Sequence, residues 1–341
     1  MSAEKTKHPV TLIHILTSFF ASVLVIWGVS YYFTDSILYL QFDKTLAKYI
    51  HQPKSTYWHR REGFAATYHG LYGTDGIEDI TQDPRQKIVI WGDSYVEGHQ
   101  VNDDEKIAQV LTAGLAEQGL GNQLMSFGVG MSGNSVADYY FEIPKYEQLG
   151  INIAAHIILV TGLSDTLPDD EKDYERGVFE VNPYRLVWKE WHPANTSTKK
   201  VFKKFKLNFL WWTLRSASLS VPQMRFMIAT APPRASFHDN LRTVPPSDDE
   251  LAAAWSFLFE KLRSQTSLPI VLMYSPRVPT IKDGAVTTQF DDEGKIALFT
   301  SVAQKYQIPV INTTNALYRI LPGNRAVPAW FSQYQAKLRP F

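Results

Sequence analysis

The stretch IVIWGDSYVEG, residues 88–98, starts as an apolar run of strand length and ends as a polar turn. Ile88 to Trp91 are the residue types that fill a buried strand, and Gly92 permits a tight exit from it. Ser94 then stands at the start of a turn leading towards a helix. In an open parallel sheet, ligands bind at the carboxyl ends of strands, where loops present side chains and helix N-termini present free N–H groups. A hydroxyl at that point is a candidate nucleophile, and a nucleophilic serine needs a base to activate it.

Outward from this stretch, apolar runs of strand length alternate with helical patterns. KIVIWG is followed by DDEKIAQVLTAGLAEQG, QLMSFGV, ADYYFEIPKYEQLG and HIILVTG, and later come SDDELAAAWSFLFEKLRSQ, LPIVLMYS, EGKIALFTSVAQKYQ and IPVIN. Such alternation predicts a parallel sheet with helices on both faces. Ser247 and Glu250 form a capping-box pair that starts a helix over 248–265. Residues 167–246 interrupt the alternation as an insertion. It carries Trp188, Trp191, Trp211, Trp212 and the basic run KKVFKKFK at 199–206. We read that run as a solvated helical face packing through its Phe residues, with contact to a membrane surface or an anionic glycan as the alternative.

Lys and Arg total 34 and Asp and Glu total 34, so net charge gives no reason to expect a nucleic-acid partner. The chain has no cysteine, which excludes disulfides, thiol catalysis and thiolate metal sites. From Pro9 to Phe33 there is no Asp, Glu, Lys or Arg. As a helix that run would be roughly 37 Å long, enough to cross a bilayer with some tilt. It continues into Trp27, Tyr31, Tyr32 and Phe33 rather than ending at a small-residue cleavage site, so it is expected to be an uncleaved membrane anchor. Lys5 and Lys7 precede it, which by the positive-inside rule leaves residues 1–8 as a cytoplasmic tail and the rest outside the cytoplasm. The expected location is therefore a single pass through the cell inner membrane with a periplasmic domain. Residues 34–86 read as a juxtamembrane stalk packing onto a domain over 87–320.

Two further loops sit at expected strand ends. SFGVGMSGNS carries Gly128, Gly130 and Gly133, which let backbone come close to a ligand, and VTGLSDTLPD carries Gly162, Ser164 and Asp165. Donors from three adjacent strand ends would converge on an oxyanion. In this order and spacing, GDS at 92–94, GNS at 133–135 and GLSD at 162–165 resemble the first three blocks of the SGNH (GDSL-like) hydrolases, in particular their membrane-anchored extracytoplasmic members. The resemblance covers roughly residues 87–320. It implies a flavodoxin-like three-layer α/β/α sandwich and an ester hydrolase or acyltransferase that uses no metal or other cofactor. By the same resemblance Ser94 is the nucleophile, and the N–H groups of Ser94 and Gly133 line the oxyanion hole. The third donor falls at Ser164, where the family has asparagine.

The family places its histidine in a last block after the final strand, and this chain has none there; its last histidine is His238. His99 lies five residues after Ser94 on a turn expected to face solvent, and His238 lies in the insertion; these are the two candidate substitutes for the base. The ending, residues 321–341, has only a weak helical period. Shifted forward by one nucleotide, its codons can read TGRFPRGFANTKPSYGH, which resembles the family's last block. The C-terminus is therefore expected to be frameshifted, with the base encoded but not translated. The expected function is ester hydrolysis or acyl transfer on a cell-envelope substrate, an acylated small molecule or O-acylated glycan, impaired in this chain. The alternative is a non-catalytic envelope protein that binds glycan or scaffolds an assembly. A nucleotide site is disfavoured, because no GxGxxG or P-loop pattern follows the first strand.

Overall fold

The computed structural model describes residues 12–60, 64–166, 176–181, 184–189, 197–208, 210–211, 247–276, 281–282, 285–286, 292 and 294–316. The N-terminal helix α1 (Leu12–Phe33) is long and apolar enough to cross a membrane, and its apolar window Leu12–Val29 is not buried against the rest of the protein.

Two antiparallel hairpins follow: β1 (Leu40–Asp43) with β2 (Lys48–His51), and β3 (Ser55–His59) with β4 (Ala65–His69). Next come β5 (Gln86–Gly92), the short helix α2 (Ser94–Glu97), α3 (Ile107–Glu117), β6 (Leu124–Gly130), α4 (Val136–Glu147) and β7 (Ile153–Val160). In the region read as an insertion, β8 (Arg176–Val181) pairs antiparallel with β9 (Tyr184–Lys189), and α5 (Ser197–Lys204) follows. The chain continues through α6 (Asp248–Gln265), β10 (Ile270–Tyr274), the two-residue pair β11 (Ile281–Lys282) and β12 (Ala285–Val286), α7 (Ile296–Lys305) and β13 (Val310–Asn312). The capping box appears as expected, with the Ser247 side chain accepting from the Glu250 N–H.

The central sheet has the order β13-β10-β7-β5-β6, and every neighbouring pair is parallel. Numbered along the chain this is 2-1-3-4-5, the flavodoxin-like order. The first crossover, β5 to β6, moves one way across the sheet, and the later ones move the other way. Right-handed crossovers therefore place α3 on one face and α4, α6 and α7 on the opposite face. The core divides accordingly. Val89, Trp91, Phe127, Ile158 and Leu272 pack with Tyr139, Trp255 and Phe299 on the larger face. Ile90, Val96 and Ala108 form a smaller cluster with Ile157 and Leu159 on the other.

The hairpin region is built into the larger core. Leu46, Ile50 and Ile80 belong to it, Lys48 forms a buried ion pair with Glu142 of α4 at 2.6 Å, and the Tyr146 hydroxyl donates to the Tyr72 carbonyl at 2.5 Å. Phe202 of α5 packs against Trp211, whereas Phe205 in the turn after α5 is exposed, so only part of the expected aromatic packing forms. Lys203 donates to Gln52 Oε1 at 2.8 Å, which ties α5 to the turn after β2.

In register with Val89 of β5, His156 is fully buried in the middle of β7. Trp91 Nε1 donates to its Nδ1 at 3.1 Å, which leaves the ring proton on Nε2 for Glu147 at 3.0 Å. Burial lowers the pKa of His156, against the opposing pull of Glu147. The unfolded chain therefore takes up this proton more readily. The stability contributed is complete above the ordinary histidine pKa of about 6.5 and is lost as pH falls through the lower folded value. Acidification from about pH 7.5 to about pH 5.5 is expected to lower the thermal midpoint. A smaller drop is expected in His156→Gln by scanning fluorimetry, whereas an equal drop would show that this ring is not held neutral.

Candidate active site

The hydroxyl-bearing turn is built by contacts too close for ordinary side chains. Gly92 and Gly130 are register partners at the carboxyl ends of β5 and β6. A Cβ on Gly130 would lie 2.2 Å from the Glu97 nitrogen, and one on Gly92 would lie 2.2 Å from Val96 Cγ2. The expectation that Gly128 and Gly130 admit a ligand is corrected here. They admit α2 itself, with Val96 Cγ1 standing 3.1 Å from the Cβ position at Gly128. Asp93 caps α2 by accepting from Tyr95 N–H, and Gly98 ends it in the left-handed conformation at φ 53° while donating to the Ser94 carbonyl. Ser94 is thereby held, partly exposed, at the first position of α2.

Beside it lies a shallow depression lined by Asp93, Asn134, Tyr139, Leu159, Val160 and Thr161. It sits where the strand order reverses, between the carboxyl ends of β5 and β7, which is where such sheets bind ligands. Thr161 Oγ1 donates to Asp93 Oδ2 at 3.3 Å, bridging the two strand ends. Gly133 has φ 89°, a backbone conformation that favours glycine. Asn134 was not singled out from the sequence. Its buried Nδ2 has no hydrogen-bond partner among the described residues, so it is a donor available to the depression. The available signal was the amide inside GNS. Ser164 lies in the 3₁₀ turn Leu163–Thr166 just after β7. Asp292 Oδ2 secures that turn by accepting from the Leu163 N–H at 2.8 Å and from the Tyr274 hydroxyl at 3.2 Å.

His99 is not on a solvent-facing turn. It is 9 % exposed, because the left-handed Gly98 turns the chain back under the hairpins, and its ring meets Tyr57, His51 and His69 at centroid distances of 4.7, 5.2 and 5.7 Å. Among the described residues no hydrogen bond joins it, or any other base, to Ser94. His238 and residues 317–341, with the shifted-frame reading that falls on them, lie outside the described residues.

Glu97, three residues after Ser94, faces away from solvent into this histidine group. Its Oε1 accepts from His51 Nε2 at 2.7 Å, and its Oε2 accepts from the N–H of Ser132 at 3.2 Å and from the Ser132 hydroxyl. Burial works to raise the Glu97 carboxyl, but the His51 hydrogen bond, the charges of His99 and His51 and the Ser132 bond outweigh it and hold it at about 2. Burial lowers His99 to about 4, with Glu97 opposing and His51 and His69 adding to the shift. On the far side, His69 Nδ1 donates to Asp75 Oδ1 at 2.8 Å, and Lys106 Nζ donates to Asp75 Oδ2 at 2.7 Å. Burial opposes ionisation of Asp75 too, yet His69 and Lys106 keep it at about 2.

No protein-family profile matches the chain, and no curated protein is similar to it in sequence. Among solved structures it is similar to the acetyl xylan esterase AlAXEase at 12 % identity and TM-score 0.33, covering 70 % of this chain and 85 % of that one. It is similar to AlinE4, an SGNH-hydrolase family esterase, at 12 % identity and TM-score 0.31, covering 75 % and 98 %. A mutant of Axe2, an acetylxylan esterase from Geobacillus stearothermophilus, aligns at 13 % identity and TM-score 0.30, covering 74 % and 90 %. The fold is carried by the strand order.

Proposed function

We propose that the chain is an SGNH-type serine acyl hydrolase or acyltransferase acting on an acylated cell-envelope molecule, with an O-acylated glycan as the favoured substrate class. The observation that carries this reading is the placement of Ser94 at the head of α2, at the topological switch point, next to a depression lined by Asp93 and the unpartnered Asn134 amide. Ser94 Oγ attacks the acyl carbon, and its proton passes to a base. The ester oxygen leaves as the alcohol, and water or an acceptor hydroxyl then takes the acyl group. Backbone N–H groups of Ser94 and Gly133 receive the oxyanion. Asn134 Nδ2 supplies the third donor, which the family pattern would place at Ser164.

The base in this reading is the histidine of the shifted frame, so the present sequence turns over slowly and α1 holds the catalytic domain at the outer face of the inner membrane. Loss of the histidine in a serine hydrolase can cost on the order of 10⁶ in kcat. The test compares the present chain with one carrying the shifted-frame C-terminus, on short-chain nitrophenyl esters and acetylated xylan. The restored chain is expected to turn over and Ser94→Ala in it to be inactive. Asn134→Ala is expected to lower its kcat on the order of 10²-fold to 10³-fold with little change in KM. A restored chain no more active than its Ser94→Ala variant would refute the reading, as would coding DNA whose downstream frame is closed.

A further inference from the structure

His51 ends β2, His69 ends β4 and His99 follows α2, and these three rings meet in the interior at 6, 2 and 9 % exposure. One ring nitrogen from each lies within 4.8 Å of the other two. His51 Nδ1, His69 Nε2 and His99 Nε2 are all buried without a hydrogen-bond partner. Three imidazole nitrogens buried together without a partner are costly, because each loses its hydrogen bond to water and gains none in return.

The tautomers explain their orientation. Glu97 takes the N–H of His51 at Nε2 and Asp75 takes the N–H of His69 at Nδ1, so each ring keeps its lone pair on the unpartnered nitrogen. A carboxylate behind a histidine in this way is the arrangement that orients histidine ligands towards a metal and raises their basicity. We propose that His51, His69 and His99 bind a transition-metal dication that favours imidazole, zinc foremost, and that the ion fastens both N-terminal hairpins to the helix that carries Ser94.

Imidazole nitrogens suit zinc, with bonds of about 2.0–2.1 Å and a tetrahedral arrangement that sets ligand nitrogens roughly 3.4 Å apart. The nitrogens therefore need to close by roughly 1–1.5 Å, and the His51 and His69 rings, stacked at 4.4 Å between centroids with 22° between their planes, must tilt apart so that both in-plane lone pairs meet one ion. The Asp75 and Glu97 carboxylates offset the charge of the ion, and Lys106 remains paired with Asp75 at 2.7 Å. Metal-spacing motifs could not reveal the site, because its ligands come from two hairpins and a turn. The site is independent of acyl chemistry at Ser94 and adds a metal to a chain whose family resemblance implies none.

The test uses the untagged full chain in detergent, stripped with a chelator and titrated with zinc or cobalt(II). One equivalent of zinc is expected to bind and raise the thermal midpoint, and cobalt(II) is expected to give the visible bands of a nitrogen-rich four-coordinate site. His69→Gln and His51→Gln are each expected to weaken zinc binding by at least about 100-fold, the scale on which loss of supporting groups alone already acts. Should either variant fail to fold, protection of the wild-type histidines from diethyl pyrocarbonate by zinc reads the same contact. A folded wild-type chain that binds no zinc or cobalt overturns the proposal. So does binding that both folded variants retain in full.

Discussion

Lys48→Ala is expected to destabilise the folded protein by about 3–5 kcal/mol, the usual cost of stranding one member of a buried ion pair. Lys48 Nζ and Glu142 Oε2 stand 2.6 Å apart with side-chain exposures of 5 and 4 %. The pair joins β2 to α4, so the loss falls on the seam between the hairpins and the sheet domain. Removing the lysine leaves a carboxylate beside Tyr146 and Ile143 with little water to solvate it. The double variant Lys48→Met/Glu142→Leu removes both charges and is expected to return to within about 1 kcal/mol of the wild type, because hydrophobic replacement of a buried pair is often neutral or better. Urea unfolding followed by tryptophan fluorescence measures both. A loss below about 1 kcal/mol for Lys48→Ala would place the pair in water, where such bridges contribute little.

Gly130→Ala is expected to cost roughly 3 kcal/mol or more, at or beyond the usual range for overpacking, and to unseat Ser94 without touching it. The added Cβ would stand 2.2 Å from the Glu97 nitrogen and 2.7 Å from the Val96 carbonyl carbon, and both are backbone atoms of α2 that cannot rotate aside. Gly92→Ala makes a useful contrast. Its Cβ meets Val96 Cγ2 at 2.2 Å and Val96 Cβ at 2.9 Å, so Val96→Ala, which removes the first contact and keeps the second, is expected to restore part of the loss at Gly92 and none at Gly130. Because Glu97 and His99 ride on the same segment, Gly130→Ala is also expected to weaken zinc binding. Denaturation midpoints for the four variants check the first point and a zinc titration the second; a rescued Gly130→Ala/Val96→Ala double would refute the backbone collision.

Parts of the candidate site were legible in the chain and parts were not. Ser94 was found because a strand, a glycine and a polar turn are neighbours in sequence, and their local preferences add up within a few residues. Asn134 is not legible in sequence, because nothing local distinguishes an amide whose donor is left unpaired from one that caps a turn. The turn at His99 reads as solvent-facing because it is polar in sequence; the Tyr57, His51 and His69 rings that cover it belong to the hairpins. The glycines were recognised as sites of close approach, but what approaches them is α2.

By itself the sequence determined the alternation of strands and helices, the cap at Ser247, the long apolar N-terminal helix and the exclusion of thiol chemistry. Each rests on periodicity, capping or composition, which are local or additive and survive without knowledge of the fold. Only the tertiary structure decided the sheet order, the pairing of Lys48 with Glu142 and the meeting of three histidines. Those depend on contacts such as His51 with Glu97, 46 residues apart along the chain. Burial then sets the energetics of these groups. It makes an ordinary lysine a large stabilising term and leaves imidazole nitrogens no water to bond, so the hairpins, polar and aperiodic as sequence, supply two of the three ligands of a candidate metal site.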